Sequence, residues 1–321
     1  MSSLDLSHTL IQEASEQISP YILRTPIEYS PWLGKSTDTE VFLKLEHLQR
    51  SGSFKLRGAA FRLLNLNQAQ KELGIVTAST GNHAAAVAYM AQQIGVKVHI
   101  YLPQNTAQGK IKPLQLSDAE LHFYGQDSVE AEYEARRIAE LKKWPFVSPY
   151  NDPWIMAGQG TLAKELVEQL PDLDAVFVPV GGGGLIGGMA TYLKAVKPHI
   201  HIIGVQPANS AVMYQSVEAG HIVDISSQAT LSDGTAGGVE HDTLTFAPCQ
   251  KWVDEWYLAS EEEIRDGLLF LLEHHQLMVE GAAALSVAAF RAQAKKWAQK
   301  KVALILCGRK MGLNTLRSIL G

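Results

Sequence analysis

Short apolar runs rich in Val and Ile alternate with stretches of helical spacing along most of the chain, and this alternation restricts the fold more than any other feature. A strand, a helix and a second strand in succession build a parallel sheet with helical crossovers. Strand-like runs lie at 75–79, 97–102, 120–124 and 145–149, then at 175–180, 201–205, 252–258 and 302–306. Helical spacing occupies 84–94, 129–142, 162–170, 186–195, 261–274 and 282–297. The run at 175–180 is apolar without alternation, as a strand covered on both faces requires. Two sets of strands predict an α/β chain of two lobes, each an open, mostly parallel sheet flanked by helices. Ligands of such sheets sit beyond the carboxyl ends of the strands.

Composition narrows the function. With 321 residues the chain is long enough for two cores. Its 28 basic and 33 acidic residues leave a formal charge of −5 and no basic run, so nucleic acid is not an expected partner. No apolar stretch reaches the ~18 residues of a membrane span. Residues 1–10 lack the basic start of a secretory signal. Two cysteines, Cys249 and Cys307, cannot make a disulfide framework, and free thiols fit a cytoplasmic setting.

Val178-Pro179-Val180 runs into Gly181-Gly182-Gly183-Gly184 and a helix start. Bare backbone between a strand and a helix lets N–H groups close around phosphate oxygens, and the helix dipole adds about 0.3–2 kcal/mol for an anion. Gly182, Gly184 and Gly187 also satisfy a dinucleotide fingerprint. That alternative, a nicotinamide-binding oxidoreductase, needs an acid about 20 positions on, at the end of the next strand. Gln206-Pro207-Ala208-Asn209 stands there instead.

Lys55 lies between Phe54 and Leu56 in a small, apolar segment. Burial lowers a lysine pKa and frees the amine to condense with a carbonyl. Ser79-Thr80-Gly81-Asn82-His83 follows a strand and starts a helix, an arrangement suited to a carboxylate or to plain capping.

Six ordered motifs together resemble the fold-type II pyridoxal-phosphate enzymes, within them the serine/threonine dehydratase and serine racemase group. They are Ser53-Phe54-Lys55-Leu56-Arg57-Gly58-Ala59, Ser79-Thr80-Gly81-Asn82-His83, Ala157-Gly158-Gln159-Gly160-Thr161, Gly181 to Gly184, Ser232-Asp233-Gly234 and Leu306-Cys307-Gly308-Arg309. The resemblance covers nearly the whole chain. It implies a tryptophan-synthase-β-like fold with a large lobe of 1–48 and 149–321 and a small lobe of 49–148. It also implies pyridoxal 5′-phosphate held covalently by Lys55, with Phe54 against the ring and Asn82 at the phenolic oxygen. Gly181, Gly182, Gly183 and Gly184 would cradle the phosphate, and Cys307 and Glu280 would lie near the ring nitrogen. Ser79, Thr80, Gly81 and His83 would bind the substrate carboxylate. A thiol cannot enforce a protonated ring nitrogen, which favours β-elimination over transamination. The implied reaction is dehydration and deamination of a small β-hydroxy amino acid such as L-threonine or L-serine, with a homodimer as the family habit.

Departures from the pattern are informative. Where racemases of the group carry a serine, this chain has Thr80, bulkier and stiffer; an amino-acid racemase is the nearest alternative. Where relatives place carboxylates for a divalent cation, Gln206 and Val212 stand, so no metal is expected there. Neither His199 and His201 nor His274 and His275 have a partner at zinc-like spacing. Arg309 and Lys310 replace the usual ending; they point to solvent or favour a second anionic group on the substrate. The segment Gly237-Gly238-Val239-Glu240 is a candidate lining for the substrate side chain. The sequence stops at Gly321, soon after Cys307, so a regulatory region like that of the biosynthetic threonine dehydratases is not expected.

Overall fold

A computed structural model describes residues 5–321; residues 1–4, part of the segment read as lacking a secretory signal, lie outside it. Among the described residues, nine strands form two sheets. β1 (Ile27–Tyr29), β2 (Glu40–Lys44), β6 (Ala175–Pro179), β7 (His201–Pro207), β8 (Glu255–Ala259) and β9 (Lys301–Ile305) make a six-stranded sheet in the order β1-β2-β9-β6-β7-β8. Only β1 runs antiparallel, against β2. β3 (Ile75–Ala78), β4 (Val98–Leu102) and β5 (Glu120–Phe123) form a parallel three-stranded sheet in that order. All five residues of β6 are buried, as continuous apolarity demands of a strand covered on both faces. No described helix is long and apolar enough to cross a membrane.

Two expectations need correction. The run at 145–149 is not a strand: it makes a single bridge, Val76 to Phe146. Pro145 and Pro149 lack the N–H that a ladder requires, so pairing stops on either side. Trp252 ends the Phe246–Trp252 helix, and the strand begins only at Glu255. The sequence reading also passed over β1, β2 and the helix Lys55–Leu64, which matters most because it begins on the candidate lysine.

The helix Pro153–Gln169 organises the centre. It packs against Lys55–Leu64 on one side and Gly184–Val196 on the other. Both contacts are backbone-close. A Cβ on Gly158 would stand 2.5 Å from the Arg57 carbonyl oxygen, and one on Gly160 would stand 2.8 Å from that of Gly188. The Ala157-Gly158-Gln159-Gly160-Thr161 motif is therefore a packing device. It sets the helix bearing Lys55 and the helix opening on the glycine run against one support.

A buried charge network locks the same junction. Arg57 Nη2 donates to Glu46 Oε1 at 2.7 Å and to Glu165 Oε2 at 2.9 Å, and Arg57 Nε donates to Glu46 Oε2 at 2.9 Å. Lys44 pairs with Glu165 and donates to the Thr25 carbonyl and to Gln169 Oε1, each at 2.8 Å. Burial pushes the Glu46 carboxyl up, but the adjacent Arg57 guanidinium outweighs it and holds the group ionised. Burial lowers Lys44, against the pull of Glu46 and Glu165.

Candidate active site

Lys55 is the first residue of its helix, and the loop before it is stitched to the segment after β9. Phe54 N–H donates to the Cys307 carbonyl at 3.0 Å, and Arg309 N–H donates to the Gly52 carbonyl at 3.1 Å. The lysine is half-buried and its Nζ donates to the Pro149 carbonyl at 2.8 Å. The amine also lies 5.2 Å from the Phe54 ring centroid. Desolvation pulls its pKa down to about 8, although Cys307 and Glu280 act in the opposite sense.

Next to Pro149, Tyr150 connects the lysine to the glycine run. A Cβ on Gly182 would stand 2.5 Å from the Tyr150 ring, and one on Gly184 would stand 3.0 Å from Tyr150 Cβ. Gly183 has φ +83° and caps the helix Gly184–Val196; a Cβ there would meet Met213 and Thr245 at 2.9 Å. Side chains are thus excluded at Gly182 and Gly183 and crowded at Gly181 and Gly184. Thr245 Oγ1 donates to the Gly182 carbonyl at 2.7 Å, which fixes the loop from behind. The first N–H groups of the helix have no partner within it and form an anion cradle.

A third helix start belongs to Asn82–Ile94, with Gly81 as its cap after β3. Ser79 Oγ accepts from the Gly81 N–H at 3.2 Å, and a Cβ on Gly81 would meet nothing within 4 Å, so the loop faces open space. Asn82 Nδ2 donates to both Glu280 oxygens at 2.8 Å, and its Oδ1 is buried without a partner. Glu280 also accepts from the Lys310 N–H at 3.1 Å and from the Cys307 thiol at 3.8 Å. Burial raises Glu280 to about 6, against its hydrogen bond from Asn82; burial and the Glu280 charge push the Cys307 thiol well up. A Cβ on Gly308 would lie 2.4 Å from Glu280 Oε1, so only glycine admits that carboxylate.

Phe54, Lys55, Asn82, Glu280, Cys307 and the glycine run therefore converge. His83 departs from expectation: its ring is buried and bonds the Val147 carbonyl at 3.0 Å, while desolvation and nearby Lys55 lower it to about 3. Its imidazole supports the loop from within, and its amide joins the free N–H groups of the helix start. Of the two terminal cations, Arg309 is exposed with its side chain over Gly52, whereas Lys310 Nζ reaches the Gly81 carbonyl at 3.4 Å. Glu240, read as a possible side-chain lining, instead fixes Tyr150: its N–H donates to the tyrosine oxygen at 3.0 Å.

The position that would carry a nicotinamide-binding acid holds a committed amide. Gln206 donates to the Val180 carbonyl at 3.2 Å and accepts from the Tyr214 N–H at 2.8 Å. Histidines read as isolated have carboxylate neighbours through the fold, His275 with Glu28 at 2.6 Å and His201 with Glu255 at 3.5 Å. Sequence reading missed Tyr150 and Pro149. Only the fold brings them under the lysine.

The family described as pyridoxal-phosphate dependent enzyme matches residues 18–308. An L-threonine ammonia-lyase from Thermotoga maritima is 39% identical over 310 residues, spanning 97% of this chain and 77% of that protein. Maize serine racemase superposes with a TM-score of 0.92 at 32% identity, over 99% of this chain and 97% of that one. The processed form of threonine deaminase isoform 2 from Solanum lycopersicum gives 0.93 at 31%, over 97% and 86%.

Proposed function

Since the chain belongs to the family of pyridoxal-phosphate dependent enzymes, we propose that it dehydrates and deaminates a small β-hydroxy amino acid, L-threonine or L-serine, to a 2-oxo acid and ammonia. The observation that carries this reading is a lysine amine lowered to about 8 beside a neutral thiol, on the same support as a side-chain-free anion cradle. The residues fit the cofactor. Gly181, Gly182, Gly183 and Gly184 offer N–H groups to a phosphate in a turn where a Cβ would collide at Gly182 and Gly183, and Lys55 offers the amine for attachment.

When bound, pyridoxal phosphate supplies an electron sink for charge at the substrate Cα. Phe54 would lie beside the ring, and Asn82, whose amide donates to Glu280 without the cofactor, would serve its phenolic oxygen. Cys307, a neutral thiol, and Glu280, near its own titration, would lie by the ring nitrogen without fixing a proton on it. The N–H groups and hydroxyls of Ser79, Thr80, Gly81 and His83 would hold the substrate carboxylate. Lys55 Nζ would take the Cα proton as general base, and passing that proton to the departing β-hydroxyl would release water and restore the neutral amine. Hydrolysis of the released product gives the 2-oxo acid and ammonia. The small lobe of 49–148 supplies the carboxylate grip, and 1–48 with 149–321 supplies the phosphate cradle. A cytoplasmic homodimer completes the proposal; the buried free thiols of Cys249 and Cys307 suit a reducing compartment.

The test is 2-oxo acid release from L-threonine, L-serine, 3-hydroxyaspartate and phenylserine, with chiral analysis of the amino acid that remains. Steady release from threonine or serine is expected. Racemisation is the second reading, supported by the likeness to maize serine racemase and by the hydroxyl on Thr80. Inversion of L-serine without 2-oxo acid would replace the first reading with the second.

The lysine pKa gives a pH signature. Only the neutral amine attacks an aldehyde, so covalent loading of cofactor-free protein rises with pH and levels off above about 8. Below that point the rate falls about tenfold per pH unit. Borohydride trapping followed by mass measurement reads it; a plateau reached only above pH 10 would show an ordinary lysine.

A further inference from the structure

We propose that the small sheet carries a site for a divalent transition cation of the zinc class, built from His99 Nδ1, His122 Nε2 and the Glu120 carboxylate. Parallel pairing of β4 with β5 sets His99 opposite Glu120, and His122 lies two residues further along β5, on the same face. His99 Nδ1 stands 3.0 Å from His122 Nε2 and 3.2 Å from Glu120 Oε2, and one ligand atom from each residue falls within a 4.8 Å group. Nitrogen and oxygen ligands about 2.0–2.1 Å from a tetrahedral ion lie about 3.3 Å from one another. The two separations from His99 are already within tenths of an ångström of that spacing, and the third, between His122 and Glu120, lies within 4.8 Å.

Both rings are already held. His99 stacks on Trp144 with centroids 4.1 Å apart and planes at 11°, and His122 stacks on Tyr101 at 4.8 Å and 17°. Imidazole ligands with one carboxylate select zinc, cobalt or nickel over magnesium and calcium, which prefer all-oxygen sets. Glu120 is 45% exposed, which leaves an entry path and an open coordination position for water.

Two features limit the affinity. Lys97 pairs with Glu120 at 2.6 Å and must yield it. His99 Nε2 is buried without a hydrogen-bond partner, whereas a ligating histidine usually has its far nitrogen held, and losing such a partner weakens binding about 10–100-fold. Micromolar binding is the expectation. His99 and Glu120 lie at the amino ends of β4 and β5, with His122 two residues on, whereas Ser79 to Gly81 follow the carboxyl end of β3, so the ion ties two strands together away from the substrate loop.

The experiment uses untagged, cofactor-loaded protein titrated with Zn²⁺ by calorimetry and with Co²⁺ by its visible d–d absorption. Wild type should take up one equivalent and melt a few degrees higher with Zn²⁺. Glu120→Gln and His122→Gln should each weaken binding at least about tenfold and leave turnover without metal unchanged. Absence of stoichiometric uptake, or equal uptake by both variants, overturns the site. Zn²⁺ that binds only when the cofactor is stripped would place it at Cys307 instead, and overturns it too.

Discussion

Lys55→Ala protein should fold, carry no covalently held cofactor and release 2-oxo acid from L-threonine at least about a thousandfold more slowly than wild type. The same side chain serves as attachment point and general base, so its truncation removes two functions at once. Folding should survive because Lys55 is half-buried at a helix start, loses one bond to the Pro149 carbonyl, and is replaced by the strongest helix former. Visible absorption of the purified protein, borohydride trapping and turnover give three readouts. Activity within tenfold of wild type would remove Lys55 from the chemistry and the proposed reaction with it.

The largest expected stability loss lies two residues further on. Arg57→Met leaves Glu46 buried without its guanidinium and strips Glu165 of one of its two cations. Breaking a buried pair from one side costs about 3–5 kcal/mol, because the abandoned charge stays desolvated. Urea denaturation of wild type and variant at pH 7.5 measures it. The deficit should shrink as pH falls, since a proton on Glu46 removes the stranded charge. A loss below about 1 kcal/mol would mean that water reaches the carboxylates and that the network does not fix the lysine-bearing helix.

Much of the site was legible because its chemistry is carried by short motifs whose residue types have few other uses. A glycine run after a buried strand, and a lysine among small apolar residues, each restrict the physics locally. What stayed hidden depends on partners distant in the chain. β1 has three residues and β2 confines Val41-Phe42-Leu43 between Glu40 and Lys44, so neither shows an apolar run as long as that of a buried strand. The helix behind Lys55 carries Gly58 and three cations, a poor helical signature that Gln159 and Ile155 of the neighbouring helix explain only in space. His99, Glu120 and His122 look unrelated until strand register sets them side by side. The run at 145–149 failed for the opposite reason: its apolar pattern is real, but its prolines forbid the ladder.

Three helices, Lys55–Leu64, Asn82–Ile94 and Gly184–Val196, begin at this one cleft. A grip made of peptide groups has no proton to lose. Acid or base that switches Lys55 and Glu280 between forms leaves that attraction for anions intact, so capture of the substrate and its conversion answer to pH separately.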